Sequence, residues 1–127
     1  MHEGTRREVI FKQILDSAFM VHSELGPGLL ESAYEQCLFY ELSKNGIKVE
    51  KQKGMPLIYR EIMMDLGYRL DLFVDGDIII EIKAVEALND VHMAQILTYM
   101  KISGCKLGLL INFNCRHLKE GIRRVIR

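Results

Sequence analysis

Between Tyr68 and Lys83 the chain places aliphatic residues at Leu70, Leu72, Val74, Ile78, Ile80 and Ile82, all even positions. The odd positions include Arg69, Asp71, Glu81 and Lys83, and Asp75-Gly76 lies in the middle. Side chains alternate faces along a strand, so this pattern predicts a hairpin with one apolar face. Keeping that face intact requires even residues opposite even residues. A two-residue turn would pair Val74 with Asp77 and split Asp71 from Glu81, since a slip of one residue flips every side chain. A three-residue loop Val74-Asp75-Gly76, with Gly76 left-handed, preserves the face and suits a glycine bulge. In that register Asp71 opposes Ile79 and Glu81 opposes Arg69. The two carboxylates become diagonal neighbours on one face, with Lys83 two residues further on.

The rest of the chain surrounds this hairpin with alternating periods. Thr5-Arg6-Arg7-Glu8 has capping-box spacing and predicts a helix over 6–24, broken by Gly26-Pro27-Gly28. A second amphipathic helix over 29–45 carries Leu38 and Leu42 on one stripe and stops at Asn45-Gly46. Strand-like runs follow at 47–53, 56–60, 65–74 and 78–84. Asn89-Asp90 caps a helix over 91–103, whose face with Met93, Leu97 and Met100 reads as core and lies opposite His92, Gln95 and Tyr99. Leu107–Phe113 is a continuous apolar run, as a strand buried on both faces requires. The tail from His117 reads as a helical turn and an edge strand. The expected fold is α/β, a central mixed β-sheet flanked by helices in the order ααββββαβ plus a short tail, one domain over 1–127.

Composition removes several classes of function. Seventeen basic residues balance seventeen acidic ones, so a uniformly cationic coat for nucleic acid or membrane is excluded. No apolar run reaches the roughly 18 residues of a membrane span, and the first residues lack a signal-peptide core. A cytoplasmic location is expected. Cys37, Cys105 and Cys115 form no CxxC pair and the four histidines are scattered, which argues against a disulfide framework or a zinc site.

Two readings of the charged hairpin face compete on spacing alone. One is a solvated strand face with cross-strand ion pairs to Arg69 and Lys83. The other is a divalent-metal site, because Mg²⁺ takes one or two carboxylates and keeps waters for a phosphate to displace. Beside such an ion, an ammonium can orient a nucleophilic water and stabilise developing charge.

Asp71 followed by Glu81-Ile82-Lys83 resembles the D…(D/E)xK core of the PD-(D/E)XK nuclease superfamily. Gln95-Ile96-Leu97-Thr98-Tyr99 resembles the QxxxY motif of its exonuclease-like branch. Gly28-Leu29-Leu30-Glu31-Ser32-Ala33-Tyr34 reads as GxxExxY, the signature of a group of small proteins within it. Leu70, rather than proline, precedes Asp71. The resemblance implies a restriction-endonuclease-like core. It also implies that Glu31, Asp71 and Glu81, with the Ile82 carbonyl, hold Mg²⁺ or Mn²⁺, and that Lys83 assists the attacking water. Gln95 and Tyr99 would orient the lysine or meet the backbone of the nucleic acid.

The function expected is metal-dependent hydrolysis of phosphodiester bonds in DNA, with RNA not set aside. The rival readings are a non-catalytic nucleic-acid- or protein-binding module that keeps the fold, and an accessory subunit acting as a homodimer or with an unidentified protein. Charge by segment supports local contact with nucleic acid. Residues 61–90 carry two basic and eight acidic groups, whereas 116–127 carry five basic and one acidic. Arg69, with Arg123 and Arg124 of that basic tail, is expected to contact the nucleic acid. Arg116, Lys119 and Arg127 add to the charge free to meet phosphates.

Overall fold

The computed structural model describes residues 3–127. Helix α1 (Glu3–Leu25) is followed by α2 (Glu31–Lys44), β1 (Val49–Tyr59), β2 (Ile62–Val74), β3 (Ile78–Lys83), α3 (Asp90–Ser103), β4 (Leu107–Asn112), a 3-10 turn (Leu118–Gly121) and β5 (Ile122–Ile126). The five strands form one sheet in chain order. Only β3 and β4 pair parallel, the crossover being α3; the other neighbours are antiparallel. Among the described residues no helix is long and apolar enough to cross a membrane.

Helices cover both faces of the sheet. Ile10, Ile14, Ala18 and Val21 of α1, at helical spacing, join Tyr34, Leu38 and Leu42 of α2 over Leu72, Val74, Ile78, Ile80 and Ile82. On the other face Ile96 and Met100 of α3 pack on Leu70, Ile79, Leu110 and Val125. Burying those two side chains of α3 contributes about 1.5–3 kcal/mol each. All six positions of β4 are buried, as its unbroken apolar run predicts. A Cβ at Gly108 would stand 2.8 Å from Met100 Sδ, so α3 rests directly on β4 there.

Several expectations need correction. The runs at 47–53 and 56–60 are one strand, β1, interrupted by a bulge between Met55 and Leu57 where Pro56 offers no N–H. The next strand starts at Ile62, paired with Tyr59 across a tight turn at Arg60-Glu61, rather than at residue 65. Helix α1 already includes Thr5, so the Thr5–Glu8 capping box does not form. In α3 the buried residues are Ile96 and Met100, while Leu97 is 40% exposed. Asn89 does cap α3, accepting the Val91 and His92 amides, and His92 closes the box by accepting the Asn89 amide. The tail forms its turn and edge strand as expected.

The hairpin keeps the predicted parity but not the predicted register. Val74 pairs with Ile78 and Leu72 with Ile80, so the loop is Asp75-Gly76-Asp77. Asp75 and Gly76 take φ of 57° and 63°, and the Asp77 amide closes the turn on Val74. Asp71 therefore stands level with Glu81, not with Ile79. One even residue also changes sides: Leu70 packs under α3, away from Leu72 and Val74. Backbone pairing of β2 with β3 ends at Leu72–Ile80, and beyond it the Asp71 amide is taken by a side chain. The pleat is no longer enforced there, and the strand rotates.

Candidate active site

The point where β2 leaves β3 opens into a cleft of about 380 Å³ lined by Glu31, Glu35, Gln52, Asp71, Glu81 and Lys83 among others. Glu81 is buried, and its Oε2 accepts the Asp71 amide at 3.1 Å. Asp71 Oδ2 in turn accepts the Ile82 amide at 2.8 Å. Each carboxylate thus replaces a missing ladder bond and is held by backbone. Among the described residues neither forms an ion pair. Burial, then the neighbouring Asp71 charge, pushes the Glu81 carboxyl up to about 8. Burial also raises Asp71, against the pull of the Ile82 amide. The solvated strand face with cross-strand ion pairs is not what forms.

Lys83 lies on the same side. Its Nζ donates to Gln95 Oε1 at 2.7 Å, and Gln95 Nε2 donates to the Tyr99 hydroxyl at 3.2 Å. The Tyr99 ring stacks on Tyr68 of β2 at 4.8 Å, so α3 and the sheet together fix the chain of bonds that ends on the ammonium. The end of β3 is pinned by a residue that sequence reasoning overlooked. Asn112, buried at the end of β4, accepts the Val85 amide and donates to the Val85 carbonyl, both at 3.0 Å. A lone amide inside an otherwise apolar run was the available signal.

The GxxExxY residues divide into structural and site roles. Gly28, at φ 106°, turns the chain into α2 in a conformation that side chains rarely adopt. Tyr34 is fully buried and stacked on Phe113 at 4.6 Å. Its hydroxyl donates to the Gly26 carbonyl at 2.6 Å and accepts the Leu29 amide at 3.1 Å. That bracket fixes the loop that delivers Glu31, the first residue of α2, to the cleft. Tyr34→Phe should lower stability by about 0.5–1.5 kcal/mol, because two part-buried backbone groups lose their partner. Chemical denaturation measures this; an unchanged midpoint would contradict the bracketing role.

Glu31 remains at the exposed rim of the cleft. Among the described residues no three His, Cys, Asp or Glu side chains stand close enough to hold an ion by themselves. Glu35 and Gln52 are cleft residues with no assigned role in the sequence motifs. Gln52 has φ 50° within β1 and donates to Glu35 Oε1 at 2.6 Å and to Asp71 Oδ1 at 3.4 Å. Burial raises the Glu35 carboxyl, and the Gln52 bond opposes that rise. Nothing in residue type announces a left-handed glutamine.

Arg69 lines the cleft and reaches the Gln52 carbonyl at 3.4 Å. Arg123 and Arg124 do not line it; both sit on β5, at the sheet edge. Arg124 is bound to Glu8 at 2.6 Å and lies over Phe11, and Arg123 donates to the carbonyls of Glu120 and Ile122. Both side chains are exposed and stand apart from the cleft.

The donor set fits a hard divalent cation. Two backbone-held carboxyl groups that form no ion pair, next to the Ile82 main chain, offer the one or two oxygen ligands that Mg²⁺ accepts while retaining water. The rest of the shell would then come from solvent and substrate, consistent with the open rim at Glu31. No curated protein and no solved structure is significantly similar to the chain. A family model of the PD-(D/E)XK nuclease superfamily matches residues 8–125. That span runs from α1 through β5 and includes every cleft residue. With its mixed sheet between helices and its Asp71–Glu81–Lys83 cleft, the chain belongs to the PD-(D/E)XK nuclease superfamily and has the restriction-endonuclease-like fold.

Proposed function

We propose that the chain, as a single domain over 1–127 of the GxxExxY group, is a cytoplasmic metal-dependent nuclease that hydrolyses phosphodiester bonds in DNA. The observation that carries this reading is the sharing of one cleft by two carboxyl groups that form no ion pair, Asp71 and Glu81, and a lysine fixed by Gln95. A pure binding module gains nothing from placing a buried carboxyl beside a second one, since burial and the neighbouring charge both work against its ionisation.

Asp71, Glu81 and the Ile82 carbonyl would hold Mg²⁺ or Mn²⁺, with Glu31 reaching it from the rim. When bound, such an ion polarises a phosphoryl oxygen and supplies acidified water. The protein's own groups do the rest. Lys83 orients the attacking water and stabilises charge developing on the phosphate. Gln95, backed by Tyr99, keeps the ammonium aimed into the cleft, while Arg69 and Tyr99 meet the backbone of the nucleic acid.

Calorimetric titration with Mg²⁺ and with Mn²⁺ tests the metal centre. Wild type should bind either ion, and Asp71→Asn should weaken binding by at least about tenfold, since it removes one of the few charged ligands. Absence of binding in wild type would remove the metal centre from the proposal.

A further inference from the structure

A cavity of about 700 Å³ lies between the α1–α2 loop and the segment joining β4 to β5, lined by Phe19, His22, Pro27, Arg116, His117 and Lys119 among others. It opens at the same end of the sheet as the active-site cleft, because Lys83 is level with Asn112 in the parallel pair. One aromatic stack separates the two. The Phe113 amide donates to the Lys83 carbonyl at 2.9 Å, the Phe113 ring lies on Tyr34, and the Tyr34 hydroxyl binds Gly26 at the wall of the groove.

The groove differs from the cleft in charge. The cleft contains Glu31, Glu35, Asp71 and Glu81 against Lys83 and Arg69. The groove contains Arg116 and Lys119 against Glu120 alone. Among the described residues neither Arg116 nor Lys119 makes an ion pair, unlike Arg124. His22 is engaged, donating from Nε2 to the Cys115 carbonyl at 2.8 Å, which holds the segment carrying Arg116 against α1. Phe19, 41% exposed, adds an aromatic side chain to the lining. Uncommitted cations beside an exposed aromatic are the two elements of a single-strand track: phosphates pair with the former and bases stack on the latter.

We propose that this groove is a second nucleic-acid subsite, which holds an unpaired stretch adjoining the bond to be cut. Its phosphates lie on Arg116 and Lys119, and a base lies on Phe19. The assignment rests on the nuclease reading and adds to it where the strand leaves the cleft. It also explains how a chain of zero net charge grips a polyanion: the acidic cleft takes the scissile phosphate, and the groove supplies the cations.

The test is binding of a fluorescent single-stranded oligothymidylate by the full chain in EDTA, across a salt series, with circular dichroism as a control for folding. Arg116→Gln combined with Lys119→Gln should weaken binding about tenfold or more and make the log Kd against log salt slope shallower by about 1.4, at about 0.7 per phosphate released. Phe19→Ala should weaken binding about fivefold or more with the slope unchanged, because stacking releases no counterion. Folded variants with wild-type affinity and slope would overturn the groove assignment while leaving the nuclease reading intact. Wild type that neither binds the oligonucleotide nor cuts nucleic acid would overturn both.

Discussion

Replacing Lys83 with alanine should lower metal-dependent cleavage by about 10²–10⁴-fold, the range for loss of a positioned proton-transfer or charge-stabilising group. The fold should survive the change. The ammonium is half-buried and its one side-chain bond is to Gln95 Oε1, whose amide keeps its bond to Tyr99. Truncation leaves an acceptor that water can reach at the cleft, and it also removes the positive charge that holds the Asp71 and Glu81 carboxyls down, so both should rise further in the variant. The expected pattern is a large fall in kcat, with metal affinity and melting temperature near wild type. A variant that cuts at the wild-type rate would show that Lys83 is not part of the chemistry. One that fails to fold would show that the lysine is holding the cleft together.

Replacing Glu81 with glutamine should stabilise the metal-free protein while destroying its metal site. Glu81 titrates near 8 in the fold, against an ordinary value of 4.5. The folded state thus holds a proton that the unfolded state has released. Between pH 4.5 and 8 the contribution of Glu81 to stability falls as pH rises, because over that window its native form binds more protons than its unfolded form. At about 1.4 kcal/mol per pKa unit, the accumulated cost by pH 8 is about 4 kcal/mol. Glutamine keeps an oxygen for the Asp71 amide and never ionises. Glu81→Gln and wild type should therefore have similar stability near pH 4.5 and diverge steadily up to about pH 8. Urea unfolding in EDTA at several pH values reads the difference. Saturating Mg²⁺ should close much of the gap by stabilising wild type, as any ligand of the native state does. Equal stability at pH 8 would mean that the Glu81 carboxylate is not desolvated as its burial indicates.

The parity of the Leu70–Ile82 pattern was enough to predict that Asp71, Glu81 and Lys83 share a side. That much is local, since alternation and an aliphatic face leave few registers. The register was displaced because the left-handed turn residues are Asp75 and Gly76, which centres the loop one residue later than the glycine-bulge reading assumed. Leu70 was misplaced for a tertiary reason: a carboxylate, not a strand, takes the Asp71 amide. The first helix was recognisable from its period, but the box at Thr5 competed with a helix that had already begun. Gln52 depends on a backbone conformation that its side chain does not encode. The charge count of the tail could not distinguish Arg124, spent on Glu8, from Arg116 and Lys119, which are available. Sequence located the carboxylates and the lysine; the partition of the basic residues needed three dimensions.

Metal-dependent nuclease activity is tested by incubating the purified chain with single-stranded, double-stranded, nicked and branched DNA, in Mg²⁺, in Mn²⁺ and in EDTA. At least one substrate should be cleaved with either metal, none in EDTA, and none above background by Asp71→Asn or Lys83→Ala at equal concentration. Wild type that leaves every substrate intact with both metals would contradict the nuclease reading, as would cleavage that persists in EDTA or in both variants.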